Sequence, residues 1–417
     1  MSQVTLRRDA WFGDRDVRFA FPDGWDVTVY PHKGAPTVSD AAIRDAFSRP
    51  IGTRRLAEIA AGKRSAAIIV DDLSRPTPAE RIIPYVLGEL HAAGVPDSGV
   101  RFVVGGGAHR PLTREEKARK VGEAVARKYP VHDHNTYSGT LAALGNLADG
   151  TPVYINEVVA QSEVKVAVAG IYPHPSAGLG GGAKIIVPGV AGISTILYNH
   201  QLFPGRGRGN LQRRGAEPDM RENAEAVARH LGLDMIVNTV VNAKREVAGV
   251  FVGDVVAAYE AGAKFASGVY DTPLPKQAVA TTDIVFVNCY PQDMDPVQVG
   301  KSTWPLEVFT NAYKVVINGA CDGIFYHGVS DKMDYCRFLE TKDKRPKVEA
   351  PVAPAITSKG QMIMLSEHFA PQDFYRHNVG GALFASWDAL VAALRGVCPK
   401  GKVAVIPTSP LQLPKVV

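Results

Sequence analysis

The chain has 417 residues, of which 46% are hydrophobic and 21% are charged, and its formal net charge is +5. This composition excludes a long disordered or low-complexity protein, and the small charge with acidic residues interspersed gives no indication of nucleic-acid binding. Because one hydrophobic core rarely holds so many residues, we expect two domains.

The cysteines and the first residues bear on the compartment. Cys289, Cys321, Cys336 and Cys398 are far apart and form no C-x-x-C pair, which argues against a disulfide framework and against a thiolate zinc site. The chain begins without the apolar core of a signal peptide, and it has no apolar run of membrane-spanning length. We therefore expect a soluble cytoplasmic protein without a membrane partner, which could form an oligomer.

Short β-branched runs alternate with helical patterns along the chain. The predicted strands are 66–70, 100–104, 164–169, 284–287, 314–317 and 402–406. One helix is predicted at 79–93, and a second begins after Thr113, which forms a capping box with Glu116. A third helix is predicted at 255–266, after a hairpin-like stretch at 235–252. This alternation predicts the α/β class, with two domains that each have a mostly parallel sheet flanked by helices, and an active site in the cleft between them.

The proline-punctuated segment 271–276 is the predicted domain hinge. We expect an N-terminal cofactor-binding domain at residues 1–272, completed by residues 396–417. A C-terminal substrate-side domain is expected at residues 277–395. Polar segments follow four of the predicted strands directly, at 71–76, 105–110, 170–174 and 288–291. Ligands of such folds bind at the carboxyl ends of strands, so these four loops could share one cleft.

The segment from His174 to Gly189 is rich in glycine, with Gly180, Gly181 and Gly182 in a row before Lys184. Glycines let backbone N–H groups approach an anion, which favours phosphate or cofactor binding over the alternative of a flexible loop. The segment matches neither a Walker A sequence nor a G-x-G-x-x-G fingerprint. The sequence alone therefore predicts an anionic ligand here without naming it.

Two histidines, His109 and His174, each lie just past a predicted strand. Imidazole moves protons near neutral pH, and a pair of bases suits the inversion of a stereocentre, although a structural role is the alternative for each. Arg75 precedes a proline and could bind a carboxylate in a bidentate manner, with Asp72 orienting it or a histidine. A local salt bridge would explain the same residues. Gln298 and Lys301 could together hold a carboxylate and a carbonyl oxygen, on weaker evidence from spacing.

The order of these motifs resembles the nickel-dependent lactate racemase family over nearly the whole chain. The matching positions are Asp71-Asp72-x-x-Arg75-Pro76, Gly107-x-His109-Arg110, His174-x-Ser176-Ala177-Gly178, Lys184, Pro188-Gly189, His200 and Phe251-Val252-Gly253-Asp254. The resemblance implies a nickel-pincer nucleotide as cofactor, with nickel as its metal. Lys184 would then be its covalent anchor, through a thioamide, and His200 a nickel ligand. Ser176 and the three glycines at 180–182 would bind the nucleotide.

The resemblance also implies roles for the remaining residues. His109 or His174, according to enantiomer, would remove the hydroxyl proton while the C2 hydride passes to the cofactor, and a 2-keto acid would form and take the hydride back on its other face. Arg75, Gln298 and Lys301 would surround the substrate, with Asp72 close to them. Proteins of cofactor biosynthesis would be partners for loading.

The chain departs from the family pattern in the loop Gly105-Gly106-Gly107-Ala108-His109, where a threonine is expected before the glycine, and at Val297, where an aromatic residue is expected. Lactate is therefore one candidate substrate among short, dicarboxylic and sugar-derived 2-hydroxy acids. Two other functions stay open. One is an NAD-dependent 2-hydroxy acid dehydrogenase, and the other is a non-catalytic protein that binds an anionic nucleotide.

Overall fold

Two six-stranded sheets form the frame of the computed structural model, which describes residues 2–137, 140–174, 178–201, 220–294, 298–319, 351, 353–369, 371, 374–375 and 380–417. The strands are β1 (Ser2–Arg8), β2 (Arg15–Phe21), β3 (Trp25–Val29), β4 (Ala66–Val70), β5 (Val100–Val104), β6 (Val131–Asp133), β7 (Leu141–Asn146), β8 (Pro152–Asn156), β9 (Val164–Gly170), β10 (Pro173–His174), β11 (Gly178–Leu179), β12 (Met235–Val241), β13 (Val247–Gly253), β14 (Asp271–Leu274), β15 (Ile284–Asn288), β16 (Tyr313–Ile317), β17 (Met362–Leu365), β18 (Ala382–Phe384), β19 (Gly401–Ile406) and β20 (Leu413–Val416). The α-helices are α1 (Asp40–Ser48), α2 (Leu56–Ile59), α3 (Ala79–Ala92), α4 (Arg114–Val121), α5 (Glu123–Lys128), α6 (Glu157–Gln161), α7 (Ile193–Gln201), α8 (Met220–Leu231), α9 (Ala257–Tyr270), α10 (Lys276–Thr281), α11 (Val299–Thr303) and α12 (Trp387–Val397). Within these residues the predicted strands, the helix after Thr113 and its capping box are confirmed.

The central unit, residues 35–267, is built on the sheet β13-β12-β9-β4-β5-β6. Every neighbouring pair in it is parallel except β12 and β13, which form the predicted hairpin. All five residues of β4 are buried, as expected for a strand covered on both faces. The chain runs from β4 to β5 and β6 on one side, and returns to β9 and β12 on the other. The strand order therefore reverses between β4 and β9.

The terminal unit comprises residues 2–34, 268–319 and the described part of 351–417. Its sheet, β18-β17-β16-β15-β19-β3, is parallel throughout. Alternate residues of β15 belong to two different cores: Phe286 packs in a cluster that contains Phe21, and Val287 in one that contains Phe309. Both faces of this sheet are therefore covered, and its strand order reverses between β15 and β19.

The two units divide the chain differently from the predicted domains. β19 pairs with β15 and with β3, so that Val403 lies opposite Val27. Residues 2–34 and 396–417 therefore join residues 277–395, and the expectation that 396–417 complete the N-terminal domain is wrong. The reason is that β3 and β19, from opposite ends of the chain, make their backbone hydrogen bonds in the same six-stranded sheet as β15, which the apolar pattern of a single strand does not reveal.

The described residues also bear on the expectations about membrane-spanning segments and cysteines. Among the described helices, none is long and apolar enough to cross a membrane. Cys289 and Cys398 are free, buried thiols, whereas Cys321 and Cys336 lie outside the described residues.

Candidate active site

Three of the four predicted polar loops lie side by side at the carboxyl edge of the central sheet. They follow β4, β5 and β9, which are adjacent strands. The Gly105 N–H donates to the Val70 carbonyl at 2.7 Å, and the Gly170 N–H donates to Asp71 Oδ2 at 3.3 Å. This edge includes the reversal of strand order between β4 and β9, the place where ligands bind in open α/β sheets. The fourth loop, at 288–291, follows β15 in the terminal unit.

Asp72 and His109 form a hydrogen-bonded pair on two of these loops. His109 Nδ1 lies 2.5 Å from Asp72 Oδ2, and the Ser74 hydroxyl donates to Asp72 Oδ1 at 2.5 Å. Burial raises the pKa of the Asp72 carboxyl, but His109, Arg75 and Ser74 outweigh that effect and hold this pKa well below its usual range. Asp72 is thus a carboxylate that keeps the proton of His109 on Nδ1. The basic nitrogen of His109 is then Nε2.

Arg75 lies on the same loop as Asp72 and close to Tyr172. The Arg75 N–H donates to the Asp72 carbonyl at 3.2 Å, and the guanidinium carbon lies 6.0 Å from the centre of the Tyr172 ring. Tyr172 is buried; burial raises the pKa of its hydroxyl, and Arg75 opposes that rise. A guanidinium on the loop that carries Asp72 can bind a carboxylate.

The glycines at 180–182 make room for protein side chains. A Cβ on Gly180 would lie 2.9 Å from the Tyr172 ring, and one on Gly182 would lie 2.8 Å from the Tyr259 ring. Two of the amides are also in use, because the Gly180 N–H donates to the Tyr172 carbonyl at 2.7 Å and the Gly182 N–H donates to Asn238 Oδ1 at 2.9 Å. Packing therefore explains these glycines without a ligand, and their contact with a cofactor stays a prediction.

Lys184 lies in a 3₁₀ turn, Gly182–Ile185, and is half-buried. The segment that follows is joined to the His109 loop, because the Gly107 N–H donates to the Gly189 carbonyl at 2.9 Å. A Cβ on Gly107, whose φ is +59°, would lie 3.1 Å from the Pro188 carbonyl oxygen. The fold therefore brings the Lys184 segment against the loop of the Asp72–His109 pair.

His174 ends the short strand β10, where it pairs with Gly178 of β11. It is half-buried. Ser176 lies outside the described residues, so its predicted contact with the nucleotide stays a prediction.

His200 lies near the end of α7 and is half-buried. Its Nδ1 lies 2.8 Å from the Ile196 carbonyl oxygen, one turn earlier in the helix. A carbonyl accepts only a proton, so Nδ1 carries the hydrogen and Nε2 has the lone pair that a metal needs. Within the described residues, no three or more His, Cys, Asp or Glu side chains cluster to hold a metal ion. Among the described residues, a metal at His200 would therefore find fewer than three such protein donors around it, and other donors would have to complete its ligand set.

Sequence reasoning missed Arg221, which donates hydrogen bonds to the backbone of the glycine-rich segment. Arg221 of α8 lies 3.9 Å above the centre of the Tyr259 ring, and it donates to the carbonyls of Leu179 and Gly181. No local motif marks Arg221, because its partners are about 40 positions away in the chain.

Asn238 and Thr239 of β12 were missed as well. Both are fully buried, and Asn238 Nδ2 and Thr239 Oγ1 have no hydrogen-bond partner in the described part of the chain. Unsatisfied buried donors of this kind indicate a ligand or an ordered water. A signal was present, since two polar residues interrupt an otherwise apolar buried strand.

Gln298 and Lys301 lie in the terminal unit, at the start of α11. Both are buried, with 4% and 9% of their surface exposed. α11 packs against β15 and against the 3₁₀ turn that follows β19. The strand order of this sheet reverses between β15 and β19. Their role toward a substrate stays a prediction.

Comparison with known proteins points to one family. A family model described as the lactate racemase N-terminal domain matches residues 12–210. The lactate racemase of Lactiplantibacillus plantarum is 31% identical over 319 residues, which are 74% of this chain and 73% of that protein. The lactate racemase of Thermoanaerobacterium thermosaccharolyticum is 31% identical over 233 residues, 54% of this chain and 53% of that protein.

Solved structures agree on the fold. The lactate racemase apoprotein from T. thermosaccharolyticum superimposes with a TM-score of 0.71 at 22% identity, covering 99% of this chain and 100% of that one. A protein from Thermotoga maritima gives a TM-score of 0.63 at 15% identity, covering 92% and 100%. These likenesses confirm the predicted α/β fold with parallel sheets flanked by helices. From the sequence identity and its coverage, the chain belongs to the lactate racemase family and is an isomerase.

Proposed function

We propose that the protein racemises or epimerises a 2-hydroxy acid at C2, with lactate as the first candidate. The observation that carries this proposal is the Asp72–His109 pair, at 2.5 Å, on the loop edge that also bears Arg75 and adjoins the Lys184 segment. A histidine base whose second nitrogen is held by a carboxylate is the arrangement that general-base catalysis needs. Family membership and the names of the two lactate racemases support lactate.

A nickel-pincer nucleotide is the proposed cofactor, with Lys184 as its covalent anchor and His200 Nε2 as a nickel ligand. When bound, this group would supply a reversible acceptor for the C2 hydride of the substrate. The residues present fit such a group, because His200 Nδ1 is held by the Ile196 carbonyl, and because Asn238, whose side-chain N–H donors are buried without a partner among the described residues, accepts a hydrogen bond from Gly182 in the segment that leads to Lys184.

The chain's own side chains would handle the proton and the carboxylate. His109 accepts the hydroxyl proton at Nε2, and Asp72 stabilises the imidazolium that forms. His174 accepts the hydroxyl proton of the other enantiomer. Arg75 binds the substrate carboxylate, and Gln298 and Lys301 are proposed as further substrate contacts.

The test uses protein produced together with the proteins that build the cofactor. Intact-protein mass spectrometry should show a mass gain on Lys184, and metal analysis should show nickel. Single enantiomers of lactate, malate and sugar-derived 2-hydroxy acids are then each incubated with this protein and followed by chiral chromatography. We expect both enantiomers of at least one acid to appear.

Two results would overturn the proposal. Net reduction of added NAD by a 2-hydroxy acid would identify a dehydrogenase. Protein with no mass gain and no nickel under these conditions, and with no turnover of any acid, would leave only a nucleotide-binding role.

A further inference from the structure

Helix α4 carries two buried charged side chains, Glu116 and Lys120, one turn apart. They are 4% and 0% exposed. Charged side chains are almost never buried so completely unless they are paired. At the start of the helix, Glu116 completes the capping box with Thr113 and accepts hydrogen bonds from Arg110 at 2.7 and 2.8 Å. Arg110 is the neighbour of His109, so this end of α4 is tied to the His109 loop.

Lys120 ties the other end of α4 to the loop that carries Asp72 and Arg75. Its ammonium donates to the carbonyls of Asp72 and Thr77, each at 3.0 Å, and lies 3.4 Å from the Arg75 carbonyl. One cation thus holds the backbone of this loop at three points. Two of these carbonyls belong to Asp72 and Arg75, whose side chains are part of the candidate active site.

The ammonium is also ion-paired with Asp71. Asp71 in turn accepts hydrogen bonds from the Thr77 hydroxyl and from the Gly170 N–H at the end of β9. Burial raises the pKa of Asp71 and lowers that of Lys120, and each of the two charges counteracts the effect on the other. The pair therefore links β4, β9 and α4 at the point where the strand order reverses.

We propose that Lys120 is a positioning residue of the racemase reaction, holding the 72–77 loop so that Asp72 keeps His109 oriented and Arg75 faces the substrate. This inference rests on the proposed function. A displacement of about 1 Å in catalytic groups costs about a hundredfold in rate, so a backbone held by one cation at three carbonyls is a sensitive point.

The experiment compares Lys120→Met with the double variant Lys120→Met, Asp71→Asn in cofactor-loaded protein. The single variant leaves the Asp71 carboxylate buried without its cation, and we expect Tm to fall by roughly 10 °C. The double variant removes both charges and should recover most of this Tm. If Lys120 positions the loop, kcat/KM stays about a hundredfold low in the double variant, because the three carbonyls still lack their donor. Recovery of kcat/KM together with Tm would show a purely structural ion pair and would overturn the proposal.

Lys117→Met is the matched control. Lys117 lies on the same helix and pairs with Asp133 of β6, not with the 72–77 loop, so this variant should keep wild-type kcat/KM.

A second readout does not depend on racemase activity. The imidazole NMR signals of His109, recorded in cofactor-free protein, should shift in the double variant and stay in place in Lys117→Met. Unchanged His109 signals in the double variant would overturn the positioning role even for an inactive protein. A wild-type protein without racemase activity whose His109 signals respond as expected would instead count against the proposed function alone.

Discussion

Asp72 Oδ2 lies 2.5 Å from Nδ1 of His109, although the two residues are 37 positions apart and belong to loops after different strands. Asp72 is 5% exposed and is fixed further by the N–H of Ser74 at 3.1 Å. The carboxylate is thereby held with its charge toward the imidazole ring. The pair has the geometry of a base and the group that orients it.

Asp72→Asn should lower kcat/KM for racemisation by about a hundredfold or more. The amide keeps the size of the carboxylate but cannot stabilise an imidazolium, and its N–H can hold His109 in the wrong tautomer. Steady-state kinetics of the loaded protein from both enantiomers measures the effect. Asp97→Asn, which removes an exposed carboxylate paired with Lys128, is the control and should match wild type. Wild-type kinetics in Asp72→Asn would rule out His109 as a base oriented by this carboxylate.

His200→Ala should remove nickel from the protein while leaving the mass gain on Lys184. The two attachments are on different elements, the α7 helix and the 3₁₀ turn at Gly182–Ile185, so losing one does not remove the other. Metal analysis and intact-protein mass spectrometry of the same sample measure both. His230→Ala, at an exposed histidine of α8, serves as control. Full nickel content in His200→Ala would exclude His200 as the ligand.

Much of the fold was readable because the strands are short, apolar and β-branched. Ala66–Val70 and Val100–Val104 were predicted with the bounds that the structure gives. The Thr113–Glu116 capping box was predicted as well, since it depends on residues three apart. Local patterns of this kind report on local structure, and they succeed where local preference and tertiary packing agree.

Contacts between distant segments were not readable. In the sequence, Lys120 is one of several charged residues of a polar helix, and nothing local distinguishes it. Only the fold shows that three carbonyls of the 72–77 loop surround its ammonium. The membership of β3 and β19 in one sheet is a similar case. In both, the deciding hydrogen bonds join residues more than 40 positions apart, about which the spacing of side chains says nothing.

The glycine-rich segment illustrates a different limit. A missing Cβ in a sequence indicates that something approaches the backbone closely, but it does not say what. For Gly180 and Gly182 the structure gives the answer as the rings of Tyr172 and Tyr259. The prediction of phosphate or cofactor binding rested on the same observation, and it stays a prediction.

Gly182→Ala should lower the free energy of unfolding by about 1–3 kcal/mol. Its φ is +60°, and a methyl group would lie 2.8 Å from the Tyr259 ring. Gly88→Ala is the matched comparison, since Gly88 lies in the middle of α3 with no atom within 4 Å of an added Cβ. That substitution should raise stability by about 0.5–1 kcal/mol through helix propensity. Urea denaturation of cofactor-free protein measures both, and equal stability of the two variants would contradict this account of Gly182.

His134 should make the protein lose stability as the pH falls from about 6.5 to about 4. Its ring is buried, with Nε2 donating to the Ala191 carbonyl at 2.9 Å and Nδ1 accepting from Asn156 at 3.4 Å, so the neutral form satisfies both nitrogens. Burial lowers the pKa of His134 to about 4, although the bond to Ala191 opposes that shift. Between this value and the unfolded value of about 6.5, the unfolded chain binds a proton that the folded chain does not.

The sign follows directly: stability rises with pH across that window, and the full effect is about 3 kcal/mol at about 1.4 kcal/mol per pH unit. His134→Gln, which can still donate to the Ala191 carbonyl, should show a flatter dependence of Tm on pH between 4 and 6.5. His230→Gln should keep the wild-type dependence, because that ring is at the surface. Since other buried groups also titrate in this range, the deciding quantity is the difference between the curves of the wild type and His134→Gln. Parallel curves would mean that His134 does not become neutral on folding.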